Sequence, residues 1–457
     1  MNEALMTIGE LAEMLGAKES LRGSPAVKFS SVHFDSRKIE PNGLFFAIKG
    51  ENDGHEYVQN AADAGAAAAV VDHYVPVSIP QLLVKDTRAA LLKSAAGWRQ
   101  RFNIPVIAVA GSNGKTTTTQ MILSILKNRY EPGTWVGTEG NLNNDLGVPL
   151  MLWRLRKEHE IAAFEVGMNH IGEMKPLVQA VSPTIGTVTN TMRDHQEFLA
   201  SLSETAKENG EVFAQLPRQG VAVINATDPF AIEWRKMAGN HRVVTFGTED
   251  SDVYAIPKSE DEFLLVTPVG RISIKLKVRG AHNFMNAVNA SAVLFALGRD
   301  LVDIKNGLEK FEPVRHRGES CVLEDGTVLI DDSYNANPDS MLAAVRLLSQ
   351  YPQKKIFVAG DMGELGAQSP QFHKELGEVV RNAGIAHFFC VGNRMMDAAE
   401  GYGEGTRHFD SIEELEEGLR EEIVKEPCVV LFKASNFMKL YQLADRIRQN
   451  PPKKEGA

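Results

Sequence analysis

The chain has 457 residues, 43% hydrophobic and 24% charged, enough for about three soluble domains with packed cores. A net charge of −10 speaks against a nucleic-acid binder, whose contact surface is basic, and Cys321, Cys390 and Cys428 are too few and too widely spaced for a disulfide scaffold or a Cys-x-x-Cys zinc site. No basic-then-apolar leader opens the chain and no apolar run nears the ~20 residues that span a bilayer, so a cytoplasmic enzyme with reduced thiols and no membrane partner is expected.

In chain order, Thr7-Ile-Gly-Glu10 reads as a capping box. It opens a short helix with Ile8, Leu11 and Leu15 inward and Gly16 closing it. Strand-like runs follow at 27–34 and 44–48, and each leads into a polar loop, Asp35-Ser-Arg37 and Lys49-Gly-Glu-Asn-Asp-Gly-His55. Loops at strand ends either carry ligand contacts or are plain turns. Residues 57–69 predict an alanine-rich helix, and 68–72 and 82–84 predict strands. Residues 1–87 therefore read as a first α/β domain.

A helix over 88–102 leads into the stretch with the most chemical content. Residues 104–109 are apolar and β-branched, the pattern breaks at Gly111-Ser-Asn-Gly114, and it resumes as a helix through Met121, Ile122, Ile125 and Leu126. Strand, glycine turn, Lys-Thr and helix together cradle nucleotide phosphates. Glycines let backbone N–H groups converge, Lys115 adds a point charge, and Thr116 offers a hydroxyl to Mg2+. A helix N-terminus contributes only about 0.3–2 kcal/mol toward an anion, so the lysine and a metal must carry much of the charge compensation. Val109 stands where the longer G-x4-G-K-[ST] form has its first glycine, so this is the shorter G-[ST]-N-G-K-T form.

Strands at 161–166, 184–189, 221–225 and 243–246, a hairpin over 263–278 and a helix at 283–297 predict a mostly parallel central sheet within residues 88–313. Glu165 ends one of these strands, where a carboxylate can reach the metal that bridges nucleotide phosphates. His195, in Asn190-Thr-Met-Arg-Asp-His195, follows another strand end and is either a metal-site or a structural histidine. From 314 to 457 strands at 328–330, 356–359, 387–391 and 429–432 alternate with helices near 340–349, 372–382, 412–423 and 438–449. That alternation predicts a doubly wound, Rossmann-like domain with ligands beyond the strands' C-terminal ends. The tail from Pro451 is short and basic and predicts disorder.

These motifs occur together and in order: Asp35-Ser-Arg, Asp53-Gly-His, Gly111-Ser-Asn-Gly-Lys-Thr116, Glu139-Gly-Asn-Leu-Asn-Asn144, Glu165-Val-Gly-Met168, Gly280-Ala-His-Asn-Phe-Met-Asn286, Asp331-Asp-Ser-Tyr-Asn-Ala-Asn-Pro338 and Gly360-Asp-Met-Gly-Glu-Leu365. Over roughly residues 5–445 the chain resembles the ATP-dependent Mur ligases, three-domain enzymes of peptidoglycan precursor synthesis. Asp361-Met-Gly-Glu-Leu and Asn141-Leu-Asn-Asn144 resemble the branch that joins D-Ala-D-Ala to UDP-MurNAc-tripeptide. The branch that adds the third residue typically carries Asp-Asn-Pro-Arg in its last domain.

The resemblance implies ATP and Mg2+ as cofactors, an acyl-phosphate mechanism, and a monomer. It assigns Gly111, Ser112, Asn113, Gly114, Lys115, Thr116 and Thr117 to the ATP phosphates, with Thr116, Glu165 and His195 around Mg2+. Lys115, Glu165 and His195 are the implied catalytic set. His282, Asn283 and Asn286 would face adenine, a role compatible with capping their helix, while Arg317 and Asp332 would reach phosphate and ribose. Asp35, Ser36, Arg37, Asp53, Gly54 and His55 would recognise the UDP-sugar together with Thr138 and Asn141. Asn335, Asn337 and Ser435 would surround D-Ala-D-Ala.

Three departures stand out. Asn209 replaces a lysine that many such ligases carbamylate toward a second Mg2+. Arg315-His-Arg-Gly318 replaces Lys-Gly-Arg, adding bulk beside Arg317. Lys433-Ala-Ser435 replaces Lys-Gly-Ser, so a turn tolerant of positive φ is expected to be reshaped. Two other readings are another amide ligase of the same superfamily, of the third-residue-adding or folylpolyglutamate type, the latter of which would lack the Asp-Ser-Arg domain, and a nucleotide switch without turnover, which Glu165 argues against.

Overall fold

The computed structural model describes residues 3–193, 197, 199 and 201–452. The expectations for His195 and for the end of the tail, 453–457, lie outside the described residues. Three sheets, each built from a consecutive stretch of chain, carry the fold.

The first has five strands in the order Leu21–Arg22, Gln81–Leu83, Ala68–Val71, Gly43–Phe46, Ser31–His33, the last four parallel. Ahead of it, Thr7 and Glu10 form the expected capping box and Gly16 ends the helix Ile8–Leu15 in a left-handed conformation, φ 71°. The strand expected at 27–34 is broken at Ser30. Lys28–Phe29 pairs with Met6–Thr7, and Ser31–His33 joins the five-stranded sheet.

The second sheet has nine strands, in the order Gly270–Lys275, Glu262–Thr267, Val253–Pro257, Arg242–Gly247, Val221–Asn225, Ile185–Val188, Val106–Ala110, Ile161–Glu165, Trp135–Gly137. Glu262–Thr267 pairs antiparallel with both its neighbours, and every other pairing is parallel. Every residue of Val106–Ala110, Ile161–Glu165 and Ile185–Val188 is buried, as a parallel sheet covered by helices on both faces requires. Burial alternates along Glu262–Thr267 instead, the mark of an antiparallel strand with one wet face. Trp135–Gly137 is three residues long, too short for periodicity to reveal, and only its pairing with Ile161–Glu165 defines it. The order places Val106–Ala110 between strands reached in opposite directions along the sheet. Its C-terminal end is therefore a topological switch point, where such sheets bind ligands.

The third sheet runs Glu319–Val322, Val328–Asp331, Cys428–Lys433, Lys354–Gly360, His387–Val391, Arg407–Phe409, parallel except for the first pair. All three cysteines are free, and burial pushes the Cys428 thiol up to about 11, so it stays a packed, unreactive thiol. No helix among the described residues is long and apolar enough to cross a membrane.

The helix Thr87–Arg99 fuses the first two sheets. Its Leu91, Ala95 and Trp98 belong to one buried cluster with Phe46 and Val70 on one side and Phe164 on the other. Trp98 stacks on Trp153 at 5.3 Å between ring centroids. The Arg99 guanidinium donates to the carbonyls of Val181, Ser182 and Phe102, capping the end of the helix Met174–Val181.

The helix Lys115–Arg129 is clamped from outside by Leu301–Lys310, where Ser124 Oγ donates to the Gly307 carbonyl at 2.7 Å. A Cβ on Gly307 would lie 2.3 Å from the Ile125 Cα, so the two helices touch backbone to backbone. Gly307→Ala is therefore expected to destabilise the protein by about 1–3 kcal/mol, read as a lower urea midpoint. An unchanged midpoint would mean that this contact does not support the phosphate-loop helix.

Candidate active site

The strand Val106–Ala110 ends at Gly111, and the helix Lys115–Arg129 begins at Gly114, whose φ is 80°. Both glycines are sterically required. A Cβ would fall 2.1 Å from Thr189 Oγ1 at Gly111 and 2.3 Å from Asn286 Oδ1 at Gly114, with both φ values positive. No side chain caps the helix, so its first-turn N–H groups have no partner within the helix and face the ligand side of the loop.

Side-chain amides and neighbouring carbonyls shape the loop. Gly111 N donates to Asn209 Oδ1 at 3.1 Å, Ser112 N to the Asn190 carbonyl at 3.0 Å, and Asn113 N to Asn190 Oδ1 at 3.0 Å. The Asn113 carbonyl accepts from Thr189 Oγ1 and Asn190 Nδ2. Lys115 folds back, donating to the Gly111 and Ser112 carbonyls at 2.6 and 2.9 Å. It can swing from these weak neutral acceptors to a phosphate oxygen.

Glu165 is 1% exposed. Its Oε1 accepts from Asn143 Nδ2 at 2.7 Å and its backbone N–H donates to Thr138 Oγ1 at 2.8 Å, while Oε2 is buried with no partner. An orphaned carboxylate oxygen is costly and suits a cation. Gly167 brings this strand end to the lysine, since a Cβ there would lie 3.6 Å from both Lys115 Cε and the Asn143 amide. Thr116, 5% exposed, sits in the adjoining helical turn. Oxygen donors of this kind fit Mg2+.

Asn209 does not fit a second metal. Its oxygen is spent on Gly111 N–H, and its buried Nδ2 is a donor without a partner.

Asn283 and Asn286 lie in the first turns of the helix Ala281–Ala296. Asn283 Nδ2 donates to the Arg279 carbonyl at 2.8 Å, while Asn286 packs under Gly114 and meets Thr118 Oγ1 at 3.4 Å. His282 is exposed and within electrostatic reach of Asp332 and Lys433 at the strand ends of the third sheet, where its loops begin.

Those loops reach the phosphate loop directly. Asn113 and Asn337 exchange two amide hydrogen bonds, at 2.9 and 3.2 Å, and Asn337 also caps the helix Pro338–Ser349. Arg193 donates to Asp339 through its backbone N at 2.7 Å, Nε at 3.0 Å and Nη2 at 2.7 Å, with Glu375 at 3.3 Å. Lys433, 3% exposed, bonds Asp332 at 2.7 Å and the Asn335 carbonyl at 3.0 Å. Ser435 Oγ joins the Ala336 carbonyl to Gly363 N. Arg317 lies over the Tyr334 ring at 3.8 Å.

Two expectations attached to the sequence departures resolve differently. Ala434 is buried and takes no positive φ, so that turn is not strained. His316 does take one, φ 64°, a conformation that costs an L-residue roughly 1–2 kcal/mol.

In the first domain, the loops after Ser31–His33 and Gly43–Phe46 share one sheet edge. Asp35 caps the turn Ser36–Lys38 and pairs with Arg37 at 2.9 Å. Asp53 caps Gly54–Tyr57 and meets His55 Nδ1 at 2.6 Å, while His55 Nε2 accepts from Asp72 N. Thr138 lines a cleft of about 1180 Å³ that runs from Thr116 along the helix past Gln120, Lys127, Arg154 and Arg156. Asn141 and Asn335 are exposed.

Sequence reasoning singled out Asn141 and missed Asn143, two residues on, which contacts Glu165. It also missed Asn190 and Arg193. Alternation in polarity cannot identify them, because each acts across a long sequence separation.

A family profile described as Mur ligase middle domain matches residues 109–294, one described as Mur ligase, glutamate ligase domain matches 316–436, and one described as Mur ligase family, catalytic domain matches 28–99. The Escherichia coli (strain K12) protein named UDP-N-acetylmuramoyl-tripeptide–D-alanyl-D-alanine ligase is 36% identical over 97% of this chain and 99% of its own length. The Bacillus subtilis (strain 168) protein of the same name is 32% identical over 97% and 99%. Among solved structures, MurF from Acinetobacter baumannii superposes with a TM-score of 0.91 at 34% identity, covering 98% of this chain and all of that one (100%). The fold is shared with MurF ligase from Thermotoga maritima in complex with ADP, TM-score 0.80 at 24% identity, over 92% and 97% of the two chains. Three consecutive profile matches, and full-length relatives above 30% identity, make this chain a member of the Mur ligase family.

Proposed function

We propose that this Mur ligase joins D-Ala-D-Ala to UDP-MurNAc-tripeptide with hydrolysis of ATP to ADP and phosphate, as a monomer built of domains 1–87, 88–313 and 314–457. The observation that carries the chemistry is the unpaired Glu165 oxygen beside a phosphate loop that the third domain touches through Asn113 and Asn337. The names of the full-length relatives supply the substrates.

In this reading the first-turn N–H groups of residues 114–117 and Lys115 hold the β- and γ-phosphates of ATP. Thr116 and Glu165, with His195, would hold Mg2+, which when bound neutralises phosphate charge. Orientation does the rest, and it supplies on the order of 7–11 kcal/mol of barrier reduction. The tripeptide carboxylate attacks the γ-phosphorus as the bond to ADP breaks, giving an acyl phosphate. The D-Ala-D-Ala amine then attacks the acyl carbon, loses a proton, and phosphate leaves. No protein nucleophile is required. Charge compensation must be preorganised, and the amide-lined loop and Lys115 provide it. His282, Asn283, Asn286, Arg317 and Asp332 flank the nucleotide. Asn335, Asn337 and Ser435 lie on the loops that would receive the dipeptide, and Asp35 to Arg37, Asp53 to His55, Thr138 and Asn141 receive the UDP-sugar.

Phosphate release should require ATP, the UDP-tripeptide and D-Ala-D-Ala together, and release that persists without the dipeptide would exclude this assignment. Lys115→Ala should lower turnover about 10²–10³-fold in the same assay with folding intact by circular dichroism. Glu165→Gln, which keeps the Asn143 contact and removes the charge, should raise the Mg2+ concentration needed for half-maximal rate.

The Asp35 turn offers a separate check. Hydrogen bonding and charge from Arg37 hold the Asp35 carboxyl at about 2 against an ordinary 3.8. A depressed carboxyl contributes stability that is complete above the ordinary value and is lost as pH falls through the folded one. The pairing is thus intact above pH about 4. In Arg37→Ala the Asp35 titration followed by NMR should move up toward 3.8.

A further inference from the structure

The turn joining the second and third sheets carries a residue in a conformation it would not adopt alone. His316 has φ 64°, the left-handed region that glycine enters freely and other residues uncommonly, histidine more readily than most. Its ring is fixed on two sides. Nδ1 lies 2.7 Å from Asp331 Oδ2, a carboxylate with no solvent exposure that also has Arg448 at 3.9 Å, and the imidazole packs on Tyr441 at 4.9 Å between centroids. Unfavourable backbone conformations persist where the surroundings over-determine them.

The turn is tied to the site on both sides of His316. The His316 carbonyl accepts from Tyr334 N at 3.0 Å, Arg317 N closes the turn onto the Val314 carbonyl at 3.0 Å, and the Arg317 guanidinium rests on the Tyr334 ring at 3.8 Å. Tyr334 belongs to the loop that starts at Asp331, the partner of His316, and ends at Asn337, the partner of Asn113 in the phosphate loop. His316 therefore anchors one end of the segment whose other end touches the phosphate loop.

We infer that His316 is a positioning residue for nucleotide binding: held by Asp331 and Tyr441, it keeps the interdomain turn left-handed and so fixes Arg317 on Tyr334 in the place from which it engages ATP. The inference rests on the assignment of Arg317 to the nucleotide made above. It requires no change of protonation, because an Nδ1–H donates to Asp331 whether the ring is neutral or charged.

The test is a cycle of His316→Ala, Arg317→Ala and the double variant in the full-length enzyme. KM is measured for ATP and for both peptide substrates, and ADP affinity is measured by calorimetry. His316→Ala should raise the KM for ATP and the Kd for ADP about tenfold, the size of one charge-assisted contact. The KM of the UDP-tripeptide should be unchanged, and His316→Ala should add nothing to the ATP effect once Arg317→Ala is present. Should the alanine variant not fold, Tyr441→Leu, which removes the ring that His316 packs on, carries the same expectations, and His316→Gly, which accepts the positive φ unaided, should keep more of the ATP affinity than His316→Ala. A purely structural role would move the UDP-tripeptide KM as well, or would add to the Arg317→Ala effect on ATP, and either result overturns the inference. A normal ATP KM in His316→Ala or Tyr441→Leu alongside a raised one in Arg317→Ala overturns the inference alone. If Arg317→Ala itself leaves nucleotide affinity intact, the assignment of Arg317 to ATP fails and His316 loses its role with it.

Discussion

A site that must gather a polyphosphate and a carboxylate has to be shaped by groups that do not repel them. Here neutral amides do that work. Asn190 and Asn209 accept from the phosphate-loop N–H groups, Asn113 and Asn337 bind each other across the boundary with the third sheet, Asn286 fills the space under Gly114, and Asn143 orients Glu165. An amide donates and accepts without net charge, so it can fix a backbone in a buried place without adding to the anionic load. The carboxylate in this set, Glu165, keeps one oxygen unpaired, as a metal-facing carboxylate should.

The same contacts set the shape of the loop with no ligand bound. Gly111 and Gly114 allow the close approach of Thr189 and Asn286, and the helix Leu301–Lys310 presses Lys115–Arg129 from behind. Preorganised donors in a poorly solvated place are worth more than the same donors in water. The Lys115 ammonium, parked on two loop carbonyls, is the mobile part of an otherwise set arrangement.

The third sheet contributes differently. Among the described residues, its loops meet the central sheet through polar contacts, the Asn113–Asn337 pair, the Arg193–Asp339–Glu375 cluster and Glu197 N on the Glu364 carbonyl, and no buried apolar cluster spans the two. The first two sheets do share one, centred on Trp98 and Trp153. Apolar burial resists opening because exposed area is costly, whereas partly solvated ion pairs exchange with water at little cost. Of the two junctions, the one between the second and third sheets therefore costs less to separate, and the turn carrying His316 lies within it.

The sequence by itself determined the elements and the chemistry at short range. Buried strands announced themselves as β-branched runs, the phosphate loop by Gly111-Ser-Asn-Gly-Lys-Thr116, and the first helix by the Thr7–Glu10 box, because each of these signals acts within a few residues of its cause. The mostly parallel α/β architecture followed from the alternation of strands and helices. Only the tertiary structure decided which side chains meet: that Asn143 holds Glu165, that Asn209 serves the Gly111 N–H, that Asn337 both caps a helix and reaches Asn113, and that residues 27–34 split between two sheets. Those partners lie up to 224 residues apart in the chain, and periodicity carries no information at that range. The left-handed turn at His316 belongs to the same class, since its stability comes from Asp331 and Tyr441 and not from its own backbone.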